Sequence, residues 1–371
     1  MQRSFACLVL LAACNSSNGG TPDALATGDA PPNSATAVVV AGDFTAGHPG
    51  TMGVVDPKTL HVMTNAAPQG AVGDDPVIRY FDGQIYIVNR ADGDNVTILD
   101  GATRALVEQD STGAGSNPQD VAVVGGELYV PVFGGNGLAV VTAGSGDLHT
   151  IDLSMDDPDG KPNCNSIFAA GGLLYVSCEL LDDTMQFLPP RGPGMVYVVD
   201  PATELVVASV PMMNVNPFGA FVQLPSGDLA IPTVDFATDD GCVEMISTGA
   251  TPASDGCLVD NADVDGYVAG MAVQALSTGQ LLLWLSVSEP DFIHANLIAF
   301  DLGAGTLADA PSSPDTEVIE SVATCPDGSV IVTDGAMATG GVRVYRDGAE
   351  VTTTALSIGL LTQNSDAIVC Y

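Results

Sequence analysis

Along most of the chain, apolar residues gather in short runs, and the runs come in pairs joined by a glycine-containing turn. "NPQDVAVVGGELYVPVF", residues 117 to 133, places VAVV and LYVPVF on either side of Gly125 and Gly126. The same layout recurs in "DPVIRYFDGQIYIVN" (75 to 89), "NSIFAAGGLLYVSC" (165 to 178) and "NPFGAFVQLPSGDLAIPT" (216 to 233), and again in "VAGMAVQALSTGQLLLWLSV" (268 to 287) and "VIESVATCPDGSVIVTD" (318 to 334). Two runs of Val, Ile, Leu and Tyr linked by a few residues with Gly predict a tight β-hairpin, because Gly supplies the positive φ that the turn requires. The hinge glycines Gly83, Gly126, Gly172, Gly227, Gly279 and Gly328 are 43, 46, 55, 52 and 49 residues apart. That period leaves room for four short strands per unit.

Within most units a more alternating strand follows the hairpin, such as "NVTILD", "MVYVVDPAT" or "NLIAFD", and then an outer one such as "ELVVASV". The order inner, inner, middle, outer predicts burial that falls outward through each unit, as in a β-propeller blade. Six hinges give six complete units. The chain ends on "NSDAIVCY", a first strand without a second. After the Gly-, Ser- and Pro-rich N-terminal stretch it begins on "ATAVVVAGDF", "GTMGVVDPKT" and "LHVMTN", which read as second, third and fourth strands without a first. The expected fold is therefore all-β, a seven-bladed propeller over residues 36–371, its last blade closed by the N-terminal strands plus the C-terminal strand. Closure of this kind removes exposed sheet edges.

The first residues suggest an address. "MQRSFACLVLLAAC" carries Arg3, then an apolar run from Phe5 to Ala13 with small residues before Cys14, the layout of a secretory signal and too short a run to span a bilayer. Leu11, Ala12, Ala13 and Cys14 resemble the lipobox of bacterial lipoproteins, which implies cleavage before Cys14 and a lipid on its thiol. Residues 15 to 36 are rich in Gly, Ser, Pro and Thr without apolar periodicity, as a flexible tether would be. The expected organisation is a signal over 1–13, lipidated Cys14 with a tether to residue 35, and the propeller beyond. The expected location is the bacterial cell envelope, at the outer membrane or cell surface.

Nine Lys and Arg face 45 Asp and Glu, a formal net charge of −36. A surface this acidic repels nucleic acid and anionic headgroups, so membrane contact is expected only through the lipid. The partners that fit are an envelope protein or a cationic or small-molecule ligand, met by a monomeric chain. With 46% hydrophobic residues, the sequence has ample material for a large core.

"GTMGVVDPKT", "DNVTILDGATRALV" and "GMVYVVDPATELVVASV" resemble the V-x-V-[IV]-D-x-x-T phrases of seven-bladed YVTN and YncE-type propellers, which are NHL- and quinoprotein-like, and "NPQDVAV" resembles the phrase opening their blades. The resemblance implies the fold across most of residues 36–371. It leaves function open, because that group holds surface-layer proteins, binding scaffolds and a few lactonases and lyases, so the site is argued separately.

Besides Cys7 and Cys14 there are six cysteines, an even number that suggests disulfides in an exported chain. Cys164 and Cys178 are equidistant from Gly171 within one hairpin, Cys242 and Cys257 flank one turn region, and Cys325 and Cys370 hold matching places in the first strands of blade six and the closing blade. A bridge between the last two would lock the ring shut. Metal binding by these thiols is the alternative, although no C-x-x-C occurs.

In a propeller, the loops entering first strands and the loops from second to third strands share one face, around the mouth of the channel. Asp75, Arg90, Asn117, Asp120, Asn165, Asn216, Asp265 and Asp366 are expected there, making the mouth an electronegative place for a ligand. The competing structural role is turn capping by Asn and Asp side chains. Asp157, Asp159 and Asn163 in "DDPDGKPN" share part of the layout of a calcium loop but lack its distal Glu, so calcium is the one cofactor the sequence suggests. Among four histidines, His48 and His294 fall in mouth-side loops, where they could serve as bases or metal ligands. No G-x-S-x-G, H-E-x-x-H or phosphate loop is present. A binding scaffold is the first expectation, and a metal-assisted lactonase- or lyase-like enzyme on the same face is the second.

Overall fold

Each predicted hairpin forms, and each hinge glycine takes a positive φ, from 82° at Gly83 to 95° at Gly227. The computed structural model describes residues 35–371 except 92, 239, 290, 292, 309–315, 318–320 and 338. Cys7, Cys14, the signal and the tether lie outside the described residues. Seven antiparallel sheets account for nearly all regular structure. Blade one runs Pro76–Phe81, Gln84–Asn89, Asn95–Asp100 and Leu106–Ser111, and blades two to six repeat that order. Blade five gains a fifth strand, Thr316–Glu317, beside its third. Among the described residues, helical structure is limited to single turns at Ser154–Asp156 and Asn261–Asp263, and no helix is long and apolar enough to cross a membrane.

The seventh blade is composite. Ile368–Cys370 is its first strand, and Ala37–Ala41, Thr51–Val55 and Val62–Met63 are its second to fourth. Ala37 is opposite Cys370 and Val39 opposite Ile368, while Thr36 and Tyr371 exchange backbone hydrogen bonds of 2.8 and 3.0 Å. Both described ends therefore emerge on the face of the glycine turns, opposite the mouth.

Burial departs from the expected gradient in one respect. Second and third strands are the most enclosed: Gln84–Asn89 and Asn95–Asp100 are buried along most of their length. First strands are more open, as in Pro76–Phe81, where Arg79, Tyr80 and Phe81 are only half-buried, because one side of each faces the channel. Fourth strands such as Leu106–Ser111 are mostly exposed. Trp284 is core, 4% exposed, and its indole N–H donates to Gln274 Oε1 at 2.8 Å.

Three disulfides form with the expected pairing. Cys164–Cys178 spans the first and second strands of blade three, Cys242–Cys257 the third and fourth strands of blade four, and Cys325–Cys370 joins blade six to the closing blade. The third does not lock the ring shut, because residues 325 and 370 already belong to one continuous stretch of chain; the seam between Ile368–Cys370 and Ala37–Ala41 is held by backbone hydrogen bonds.

Candidate functional site

The first residues of the inner strands build a polar belt around the channel. Asp120 of blade two is buried, and its Oδ2 accepts the Ile167 N–H and the Ser166 hydroxyl of blade three, each at 3.1 Å. Ser166 Oγ in turn accepts the Phe221 N–H of blade four at 3.0 Å. Ser321 of blade six does the same for the Ala367 N–H of blade seven at 2.8 Å, and the Asp366 carbonyl accepts the Ile78 N–H of blade one. Arg79 of blade one completes the run with a 2.8 Å ion pair to Asp120 Oδ1. A side-chain oxygen at matching places in the first strands of blades two, three and six thus links each of those blades to the next.

On the channel side of this belt lies a charged cluster. Arg79 also faces Asp366, with Nη2 to Oδ2 at 3.8 Å, and Arg90 pairs with Asp75 at 2.5 Å. Asn364 donates to Asp75 at 3.1 Å and accepts the Gly42 N–H at 2.9 Å. The Asp366 side chain is 21% exposed into the channel, yet surrounding protein strips much of its hydration. That desolvation raises its pKa, and the Arg79 charge offsets part of the rise. Asp366 also has a φ of 51°, a left-handed backbone that Asp tolerates better than most residues. A carboxyl held toward its neutral form beside a guanidinium can donate or accept a proton, or hold a polar ligand.

The remaining rim residues go elsewhere. Asn117 and Asn216, both with positive φ, pin loops: Asn117 Oδ1 accepts the Ala91 N–H at 2.8 Å, and Asn216 donates to the Val234 carbonyl at 3.1 Å. Asn165 donates to the Pro217 carbonyl at 2.6 Å and accepts the Ser177 hydroxyl. Asp265 is exposed, with a φ of 54°. Of the eight mouth residues, Asp75, Arg90, Asp120 and Asp366 come together, and the other four are spread around the ring. Sequence reasoning missed Arg79, Ser166 and Asn364. The signal for Arg79 was present, a lone charge inside the apolar first-strand run VIRYF.

In the loops of blade three, Asp157 and Asp159 converge on a partner the sequence did not reveal, and Asn163 does not join them. Arg191 enters from the loop after the second strand, with Nη2 at 2.6 Å from Asp159 and 2.8 Å from Asp182, and Nε at 3.7 Å from Asp157. Asn163 serves as a loop staple: its Oδ1 accepts the Leu181 N–H and its Nδ2 donates to Asp183, both at 3.0 Å. Burial raises the Asp157 carboxyl. It acts on Asp159 too, but there the Arg191 hydrogen bond and the Asp183 and Lys161 N–H groups outweigh it, and the net shift is downward.

His48 and His294 lie on the mouth side of separate blades, seven and five. His48 Nδ1 meets Asp43 at 3.0 Å in blade seven, and His294 Nδ1 meets Asp291 at 2.6 Å in blade five. The N–H groups of His294 and Ile293, then the imidazole, lower the Asp291 carboxyl to about 2. Glu289, Asp291 and His294 each bring one ligand atom within 4.8 Å of the others, a set that could hold a divalent ion. Between blades four and five, Phe218, Phe236 and Tyr267 meet edge to face with centroids 5.5 to 6.1 Å apart.

No protein-family model and no curated protein sequence matches the chain. Solved structures do. The periplasmic gluconolactonase PpgL of Pseudomonas aeruginosa superposes with a TM-score of 0.62 at 16% identity, covering 91% of this chain and 99% of that one. A 6-phosphogluconolactonase candidate from Bacteroides uniformis gives 0.60 at 13% identity, over 92% and 100%. AztD from Citrobacter koseri gives 0.54 at 12% identity, over 91% and 98%. At these identities the likeness shows a shared propeller fold.

Proposed function

We propose that this protein is a lipid-anchored binding propeller of the bacterial cell envelope, which takes a protein partner or a small ligand on its mouth face. The observation that carries the reading is an asymmetry of exposed apolar side chains. Of sixteen large hydrophobic residues exposed among the described residues, seven lie on outer strands and nine in mouth-side loops, and the turns of the opposite face hold none. Phe44, Met185, Phe187, Phe236, Ile293 and Met337 come from five different blades, and Phe187 is 89% exposed. Apolar groups rimmed by charge are the composition of a binding surface. A tether ending at Ala35 would leave from the opposite face, so an anchor at Cys14 would hold the mouth away from the membrane.

Photo-crosslinking side chains placed at positions 187 and 236, and at Gly146 and Thr203 on the opposite face, test this in intact cells. Adducts confined to the mouth positions are expected, and equal labelling on both faces would overturn the reading. Loss of lipid labelling in Cys14→Ser checks the anchor.

A second reading, hydrolysis of a lactone-type ester, draws on the Asp366 carboxyl beside Arg79 and on the Glu289, Asp291 and His294 set as a holder for a divalent ion. The fold likeness to a gluconolactonase and to a candidate 6-phosphogluconolactonase agrees with it. Lactone turnover that depends on added metal, falls in His294→Ala and Asp366→Asn, and is unchanged in His48→Ala would establish it. No turnover with any lactone tried, with or without metal, would dismiss it.

A further inference from the structure

We infer that the mouth-side loops of blade three form a calcium site whose place is kept by the guanidinium of Arg191. The inference is independent of the mouth-face reading. Its starting point is Asp157, whose side chain is fully buried and whose Oδ2 has no hydrogen-bond partner. A buried carboxylate oxygen left without a donor is costly, and a cation is the partner that best satisfies it. The other Asp157 oxygen accepts the Asp159 N–H at 3.1 Å, so the two acidic side chains are held on one short loop.

Around Arg191 the available donors are hard oxygens. Its Nε donates to the Leu181 carbonyl at 3.2 Å, and its Nη2 to Asp159 Oδ2 and Asp182 Oδ1. If the side chain turns outward, these three oxygens are released together beside Asp157, whose Oδ1 lies 3.7 Å from the Arg191 Nε and whose Oδ2 already lacks a partner. Three carboxylates and one carbonyl, completed by water, suit an ion that takes six to eight oxygens in irregular geometry. Three negative charges against one guanidinium also leave the cluster electrostatically under-compensated. The Arg191 side chain is 26% exposed, so its exit is open to solvent. Asn163 and the Lys161 ion pair to Asp183 at 3.3 Å shape the loops from behind and remain in place.

This arrangement makes an unusual prediction, because removal of a basic residue should improve binding. Calcium titration by calorimetry, with magnesium as contrast, is applied to the purified wild-type protein, Arg191→Gln, Asp157→Asn and Asp182→Asn. Arg191→Gln is expected to bind calcium about tenfold more tightly than wild type, the effect of about 1.4 kcal/mol of relieved competition. It should also melt lower than wild type in EDTA and recover when calcium is added. Asp182→Asn, at a half-buried position where folding is safe, should lose about tenfold in affinity, and Asp157→Asn at least as much. No calcium heat in either wild type or Arg191→Gln would overturn the proposal. So would binding that Asp157→Asn and Asp182→Asn leave unchanged, because the ion would then lie elsewhere.

Discussion

Glu179 offers the most quantitative check on how this propeller manages its acidity. The residue directly follows the second strand of blade three, Leu173–Cys178, and is 8% exposed. Burial alone pushes its carboxyl from 4.5 up to about 8. The folded chain therefore keeps a proton that the unfolded chain has released. The unfolded state binds fewer protons across this window, so the stability from Glu179 is fully present below about pH 4.5 and is lost as pH climbs toward about 8. Between pH 4 and pH 7 the loss is about 3 kcal/mol, from roughly 2.5 pH units at about 1.4 kcal/mol each. Glu179→Gln keeps the shape and removes the titration. Urea unfolding of the purified, oxidised wild type and variant at both pH values gives the result as a difference of differences. Any fixed cost of the new amide, and the titration of every other group, then cancels. The variant should gain about 3 kcal/mol on wild type in going from pH 4 to pH 7. A change below about 1 kcal/mol would mean that water or a donor reaches the carboxyl and that it is ionised like any other.

The belt, the third disulfide and a hinge glycine give three more tests. Asp120→Ala takes from Arg79 its 2.8 Å ion-pair partner and from the Ile167 N–H its acceptor, and should cost about 3 to 5 kcal/mol in chemical denaturation; a loss under about 1 kcal/mol would remove the belt as a source of inter-blade cohesion. Replacing Cys325 and Cys370 by Ser, which opens a bridge spanning 45 residues, should cost about 4 kcal/mol by loop entropy, against about 3 for either shorter bridge. An equal loss from all three would refute loop length as the source of the difference. Gly126→Ala, at a φ of 90° with open space around the new methyl, should cost about 1 kcal/mol through backbone strain alone, read as a small fall in melting temperature without change in m-value.

What the sequence determined on its own is everything that depends on neighbours along the chain. A hairpin needs two β-forming runs and a residue that accepts positive φ, and Gly83, Gly126 and Gly172 supply it locally, so the blades could be counted. Even closure of the ring was legible, because a first strand at one end and three orphan strands at the other have no alternative partners. Cys164 and Cys178 were readable for the same reason, since hairpin register follows from the turn.

Only the tertiary structure decided which charges meet. Arg79 reaches Asp120 across a blade boundary, Asp366 comes from the far end of the chain to join them, and Arg191 fills an acidic loop 32 residues before it. A carboxylate buried beside a channel takes whatever cation or N–H the neighbouring blade presents, and that choice is set by how blades pack around an axis. Strand periodicity carries no record of it. The same packing separates a belt residue such as Asp120, spent on holding the ring together, from Asp366, left facing the channel where a ligand could reach it.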